Sequence, residues 1–346
     1  YTTIDDPSVY FQTLLYTGNA TGSRALTNDG NSDLQPDWLW IKQRNSTKNH
    51  NIWDSSRGVT KQLRANLGNG EATNTTNDTL VSLDSDGFTL GDDTDSVGVN
   101  ENSQTYVAWQ WKANGGTTSS NSDGSITSTV QANTTAGFSI VTYTGTGSAA
   151  TIGHGLGAEP DMVIIKSRSN AVEWQVYLKS FGNDDTGLFL DTTDAATSAT
   201  NYYNNGGTSS VFGVSNNTGV GTNTYTYVAY CFRNIQGYSK IGSYTGNGNA
   251  DGPFVYTGFK PAWIMIKRTD SAEGWHILDN KRDFNENNTR LQAESNNAED
   301  TSEDGLDMLS NGFKIRTSWA GHNASSGTYI YMAFAESPFV SSKGVP

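Results

Sequence analysis

A chain that repeats at a fixed interval must fold as a series of equivalent units, and this one repeats three times. The segments QPDWLWIKQR (35–44), EPDMVIIKSR (159–168) and KPAWIMIKRT (260–269) each place a proline before an apolar run that ends on a lysine. Upstream of each stands Tyr-Thr-Gly, beginning at Tyr16, Tyr143 and Tyr244; downstream come TYVAWQW (105–111), TYVAYCF (226–232) and TYIYMAF (328–334). A tryptophan follows each lysine, at Trp53, Trp174 and Trp275, and is expected to open the return strand of a hairpin. The second and third copies keep these anchors 101 or 102 residues apart, while the first is longer before Trp53 and after Trp111. A unit of about 100 residues is the size of a β-sandwich, whereas solenoid repeats run to roughly 20–50 residues.

The period within the anchors is that of strands. In the TYVAWQW-type segments, Val107, Trp109 and Trp111 alternate with Tyr106, Ala108 and Gln110. Val228, Tyr230 and Phe232, and then Ile330, Met332 and Phe334, repeat the large apolar face. That face is expected to meet a core, and the other to be partly covered. The lysine-ended strands are apolar on both faces, which in an antiparallel sandwich calls for a second cover. The candidate assembly face is Trp38 and Trp40, Met162 and Ile164, and Trp263 and Met265; its cover is a loop of the same domain, a neighbouring domain or another chain. Lys42, Lys166 and Lys267 are expected to mark the return of the chain to solvent.

The fold class expected is therefore all-β: three tandem antiparallel β-sandwich domains of jelly-roll or lectin-like type. Their bounds are 1–115, 137–236 and 237–346. Between the first two lies a Gly/Ser/Thr-rich linker, 116–136, with a candidate strand in SITSTV (125–130). The short junction RNIQGYS (233–239) should dock the second and third domains rigidly and leave the first freer.

Composition narrows the function. A net charge of −13 with no concentrated basic run argues against nucleic-acid binding. No stretch approaches the roughly 18 apolar residues of a membrane span, so no membrane insertion is expected. Cys231 is the lone cysteine, which rules out an internal disulfide, and it reads as a small buried apolar residue. His50, His154, His276 and His322 share neither position in the repeat nor metal-ligand spacing, and no nucleophile elbow occurs. No catalytic residues are assigned. Asp84-Ser85-Asp86-Gly87 and Asp92-Asp93-Thr94-Asp95 resemble calcium loops without continuing as one; a Ca2+ ion on one acidic loop is the only cofactor considered. Tyr202, Tyr203 and Trp319 sit in polar, loop-like surroundings and are the candidates for carbohydrate contact, with packing inside their own loops as the alternative.

Several stretches carry a family likeness. LQPDWLWIKQR, DSSRGVTKQLRAN, SDGFTLG and above all TIGHGLG…PDMVIIKSRS resemble repeat-bearing structural proteins of marine tailed bacteriophages, including those that infect cyanobacteria. The resemblance covers nearly the whole chain and implies a non-enzymatic virion surface protein, made in the host cytoplasm. It would be a fibre, adhesin or capsid-decorating fibre used in host attachment or particle assembly. Its implied partners are other virion proteins and a host cell-surface glycan, and fibres of this kind imply a homo-oligomer, by analogy a trimer. The alternatives are a secreted bacterial carbohydrate-binding or adhesion protein and a depolymerase.

Overall fold

In the computed structural model, which describes residues 2–182, 186–198, 207–282, 289–302 and 305–340, nearly all regular structure is short antiparallel strand. One order of pairing occurs three times. The first large sheet runs Phe11–Thr17, Thr105–Trp111, Trp38–Gln43, Asn51–Asp54, Lys61–Arg64. The second runs Phe138–Thr144, Thr226–Phe232, Met162–Ser167, Gln175–Leu178, Thr186–Phe189, and the third Ser239–Thr245, Thr328–Pro338, Phe259–Arg268, Trp275–Asp279, Leu291–Gln292. Each large sheet faces a small one built around Gly87–Leu90, Val211–Val214 or Gly312–Ile315.

The Tyr-Thr-Gly anchor fixes each sandwich at one end. Tyr16 stacks on Tyr106, Tyr143 on Tyr227 and Tyr244 on Tyr329, at ring separations of 4.9, 5.1 and 4.9 Å. The hydroxyls of Tyr16, Tyr143 and Tyr244 donate to the carbonyls of Val99, Val220 and His322. The glycine two residues on is dictated by space: a Cβ at Gly18, Gly145 or Gly246 would lie 2.1, 2.3 or 2.3 Å from a backbone carbonyl oxygen.

Strand alternation then sorts the apolar residues into two kinds of core. Leu39, Ile41, Tyr106 and Ala108 face the first small sheet; Val163, Ile165, Tyr227, Ala229 and Cys231 face the second; Ile264, Ile266, Tyr329, Tyr331 and Ala333 face the third. The opposite faces all meet in one shared cluster. There Trp38 stacks on Tyr230 at 4.7 Å, Trp111 meets Trp263 at 5.5 Å, and Phe232 meets Phe334 at 6.0 Å. The second cover over Trp38, Trp40, Met162, Ile164, Trp263 and Met265 is thus the neighbouring repeats of the same chain. The tyrosine-bearing face expected to be partly covered is buried as well.

The repeats join in one rotational sense. The N–H of Glu71 donates to the carbonyl of Arg168, that of Ala196 to Thr269 and that of Glu299 to Arg44. Repeat one therefore docks on two, two on three and three on one, which closes a ring. Trp174 and Trp275 each donate their indole N–H to the preceding repeat, to the carbonyls of Arg64 and Phe189.

Register corrects the assignment of the first repeat's tryptophan. Lys267 pairs with Trp275, and Ile41 with Asn51, so one further step sets His50 opposite Lys42. His50, not Trp53, is the counterpart of Trp174 and Trp275. Its N–H donates to Asn66 Oδ1, as theirs do to Asp191 and Glu294. Trp53 pairs with Leu39 and points into its own sandwich.

The three lysines do not return to solvent: all are fully buried. Lys166 Nζ donates to Gly68 O of the preceding repeat and to Val172 O, and Lys267 Nζ to Thr193 O and Glu273 O. Lys42 Nζ donates to Gln43 O and Ser46 O. Burial pushes Lys42 down to about 7 and the other two to about 8.

Residues 116–136 are not a loose tether. Ser119–Asn121 and Ser128–Asn133 extend the second large sheet at its Phe138–Thr144 edge. Gln131 reaches back to Ser55 and Ser56 of the first repeat, and Asp37 accepts the N–H groups of Ala113, Gly115 and Gly116.

Candidate functional site

The residues singled out as sites have three different fates. The six-residue assembly face is interior, as described above. Tyr202 and Tyr203 lie outside the described residues. Trp319 is half-buried and packs within its own neighbourhood, its ring 4.8 Å from His276, 5.0 Å from His322 and 4.2 Å from the guanidinium of Arg290. A Cβ at Gly321 would stand 2.1 Å from that ring, so the glycine makes room for the indole.

The acidic loops are occupied by the protein's own donors. The Asp93 carboxylate accepts the N–H groups of Val97, Gly98, Val99 and Asn100. Asp84 accepts the hydroxyls of Ser82 and Thr89, and Asp86 the N–H of Leu34. A cradle of N–H dipoles around Asp93 presents positive charge where a cation would need oxygen ligands. Among the described residues, no group of three or more His, Cys, Asp or Glu could hold a metal ion.

His322 occupies a position that the other repeats fill with Val99 and Val220, beneath the tyrosine whose hydroxyl meets its carbonyl. Neither ring nitrogen has a hydrogen-bond partner among the described residues, although the side chain is buried. Burial pushes it down to about 3, with Arg290 adding to the effect, and burial likewise holds His276 well below its usual range. A neutral buried imidazole takes up its proton only on unfolding, so this group's contribution to stability falls as pH drops from about 6.5 towards 3. His322→Val is expected to raise the unfolding free energy by about 1 kcal/mol, because it removes two orphaned polar atoms. It should also flatten the acid side of the stability profile, as read from urea midpoints of both proteins across that range.

One surface feature is built unlike the rest. A groove of about 650 Å3, inside the usual ~300–1,000 Å3 range of small-ligand sites, lies where the 233–239 junction meets the third sandwich. Tyr256 and Phe339 line it and are 59% and 38% exposed; Phe254, on the same face of the same strand as Tyr256, is 45% exposed. These three are the exposed large hydrophobics among the described residues. The strand Phe254–Tyr256 buries only Val255, so alternation turns both aromatics to solvent. Gly258, at φ +86°, turns the chain beside the Tyr256 ring, and its carbonyl accepts the N–H of Phe339. The junction side is held by Asn234, whose amide exchanges hydrogen bonds with both backbone groups of Ile241 and caps the free sheet edge. The remaining lining includes Gln236, Lys240 and Thr257.

Sequence reasoning passed over this site. FVYTGF reads as one more half-buried strand, and only the pairing of Val255 with Phe313 shows which face is inward. Lys240 and Phe339 come from segments about 100 residues apart and meet only in the fold.

The profile of the family described as "Domain of unknown function (DUF7483)" matches residues 6–338, so the chain belongs to that family. No significant match was found among curated proteins or solved structures. Among the described residues, no helix is long and apolar enough to cross a membrane.

Proposed function

We propose that this member of the DUF7483 family is a non-enzymatic virion surface protein that contacts a host-surface glycan through the third-repeat groove, on a rigid three-repeat scaffold. The carrying observation is the exposure of Tyr256 and Phe339 at a groove that also offers amides and hydroxyls, in a fold that buries every tryptophan of its shared core. An aromatic ring with one wet face and neighbouring amides and hydroxyls suits a sugar, whose C–H faces pack on rings and whose hydroxyls need polar partners. The likeness of the repeats to structural proteins of marine tailed phages supports the virion setting, as does a fold held by packing without disulfides.

The isolated chain should bind glycans on an array, and Tyr256→Ala should weaken that binding about tenfold, a loss of about 1.4 kcal/mol, without moving the thermal midpoint. Labelled antibody should find the chain on purified particles. Glycan binding without presence on particles would favour a secreted bacterial adhesion protein; binding indifferent to Tyr256 would overturn the groove's role.

A further inference from the structure

We propose that the groove selects acidic saccharides, carrying a carboxylate or sulfate, with Tyr256 as the stacking platform and Lys240 as the cation that reads the charge. The inference rests on the glycan reading above and adds the chemical class of ligand.

The repeats supply an internal control. Val255 pairs with Phe313 as Leu26 pairs with Phe88 and Ile152 with Phe212. By that register, Phe254 and Tyr256 stand where the first repeat has Ala25 and Thr27 and the second has Thr151 and Gly153. The framework therefore works with small residues at these positions, and aromatic rings exposed there serve something other than folding.

Lys240 follows the same logic. It pairs with Ala333, where Gln12 pairs with Gln110 and Ser139 with Cys231. Gln12 is buried and hydrogen-bonded to Ser8 O, Ser32 O and the N–H of Gly30, and Ser139 is fully buried. In the third repeat a lysine stands there, half-exposed at the groove, with no ion-pair partner among the described residues. Among the described residues, no acidic side chain lines the groove, although the chain carries a net charge of −13. An unpaired ammonium inside a negatively charged protein favours an anionic ligand group that brings its own counter-charge.

The wall that completes the site is also specific to this repeat. Its two central strands, Phe259–Arg268 and Thr328–Pro338, run to 10 and 11 residues, against 6 and 7 in each of the other repeats. The extra length pairs Phe259 with Pro338 and delivers Phe339 to the groove. Aromatic platform, cation and wall thus appear together, in one repeat of three.

The test uses the full chain on an array of uronate-, sialic acid- and sulfate-bearing oligosaccharides beside their neutral counterparts. Wild type is compared with Tyr256→Ala, Lys240→Gln and Lys240→Arg, each first checked for an unchanged melting curve. The expected result is retention of acidic over neutral glycans, weakened about tenfold by Tyr256→Ala and at least fivefold by Lys240→Gln. Lys240→Arg should restore most of the affinity, and the salt dependence of binding should shrink in Lys240→Gln. If neutral glycans bind as well as acidic ones and Tyr256→Ala abolishes both, acid selection is wrong while the glycan reading stands. If Tyr256→Ala changes nothing, or no glycan is retained, both fall.

Discussion

Replacing Asp54 with alanine is expected to lower the unfolding free energy by about 3–5 kcal/mol, the usual cost of stripping one partner from a buried ion pair. Asp54 and Arg57 are both fully buried at the joint between the first and second repeats. The carboxylate accepts the Arg57 N–H, its guanidinium and, across the joint, the Tyr230 hydroxyl. Arg57 would keep the Lys61 carbonyl, the Tyr230 hydroxyl and a single carboxylate, Glu71, which already serves Arg168. The third repeat builds the same device with Asp279 and Arg282, approached by Trp109 Nε1 of the first at 2.9 Å. The joint between the second and third repeats has none of it: the corresponding residues are Leu178 and Phe181, and the facing position is Met332. The chain thus contains its own apolar replacement. The double change Asp54→Leu with Arg57→Phe should recover most of the loss, since well-packed apolar residues commonly match a buried ion pair. Chemical denaturation of the three proteins decides it; a loss under about 1 kcal/mol for Asp54→Ala would show that the pair is solvated or relaxed.

The second large effect lies in the shared core. Trp38→Ala is expected to cost about 3–5 kcal/mol, as large-to-small changes at buried aromatics do. The Trp38 ring meets Trp111 of its own repeat at 4.5 Å, and Tyr230, Phe232 and Phe138 of the second at 4.7, 5.7 and 6.0 Å. No single repeat owns these contacts, so the loss should lower one common unfolding transition and not release the first repeat alone. Trp38→Met should cost less, because Met162 fills the equivalent place and because the Trp38 indole N–H has no partner among the described residues.

How much of this was readable in the sequence follows from the range of the forces involved. Strand period is local, so the faces of Trp38–Gln43 and Thr105–Trp111 were legible, including the need for a second cover. What covered them was not, because Trp38 finds Tyr230 nearly 200 residues along the chain. Residue type misled at Trp53: Lys42 to His50, Lys166 to Trp174 and Lys267 to Trp275 all span the same 8 residues. Following the tryptophan led three residues past the equivalent position, and the register shows it. Lys42, Lys166 and Lys267 looked like strand ends meeting water, yet carbonyls of neighbouring loops replace that water. The groove stayed hidden for the same reason, since it joins a junction, a strand extension and one solvent-turned face.

The central claim is that three repeats share one core and none is a free-standing domain. The most direct measurement is an amide-dispersion NMR spectrum, with a urea titration, of the second repeat alone, residues 137–236. Excised, it would turn Phe138, Ile140, Met162, Ile164, Tyr230 and Phe232 to water, all of them buried in the shared cluster. The account predicts a collapsed spectrum with no cooperative transition, or an aggregate. A dispersed spectrum from a monomer that unfolds cooperatively would contradict it.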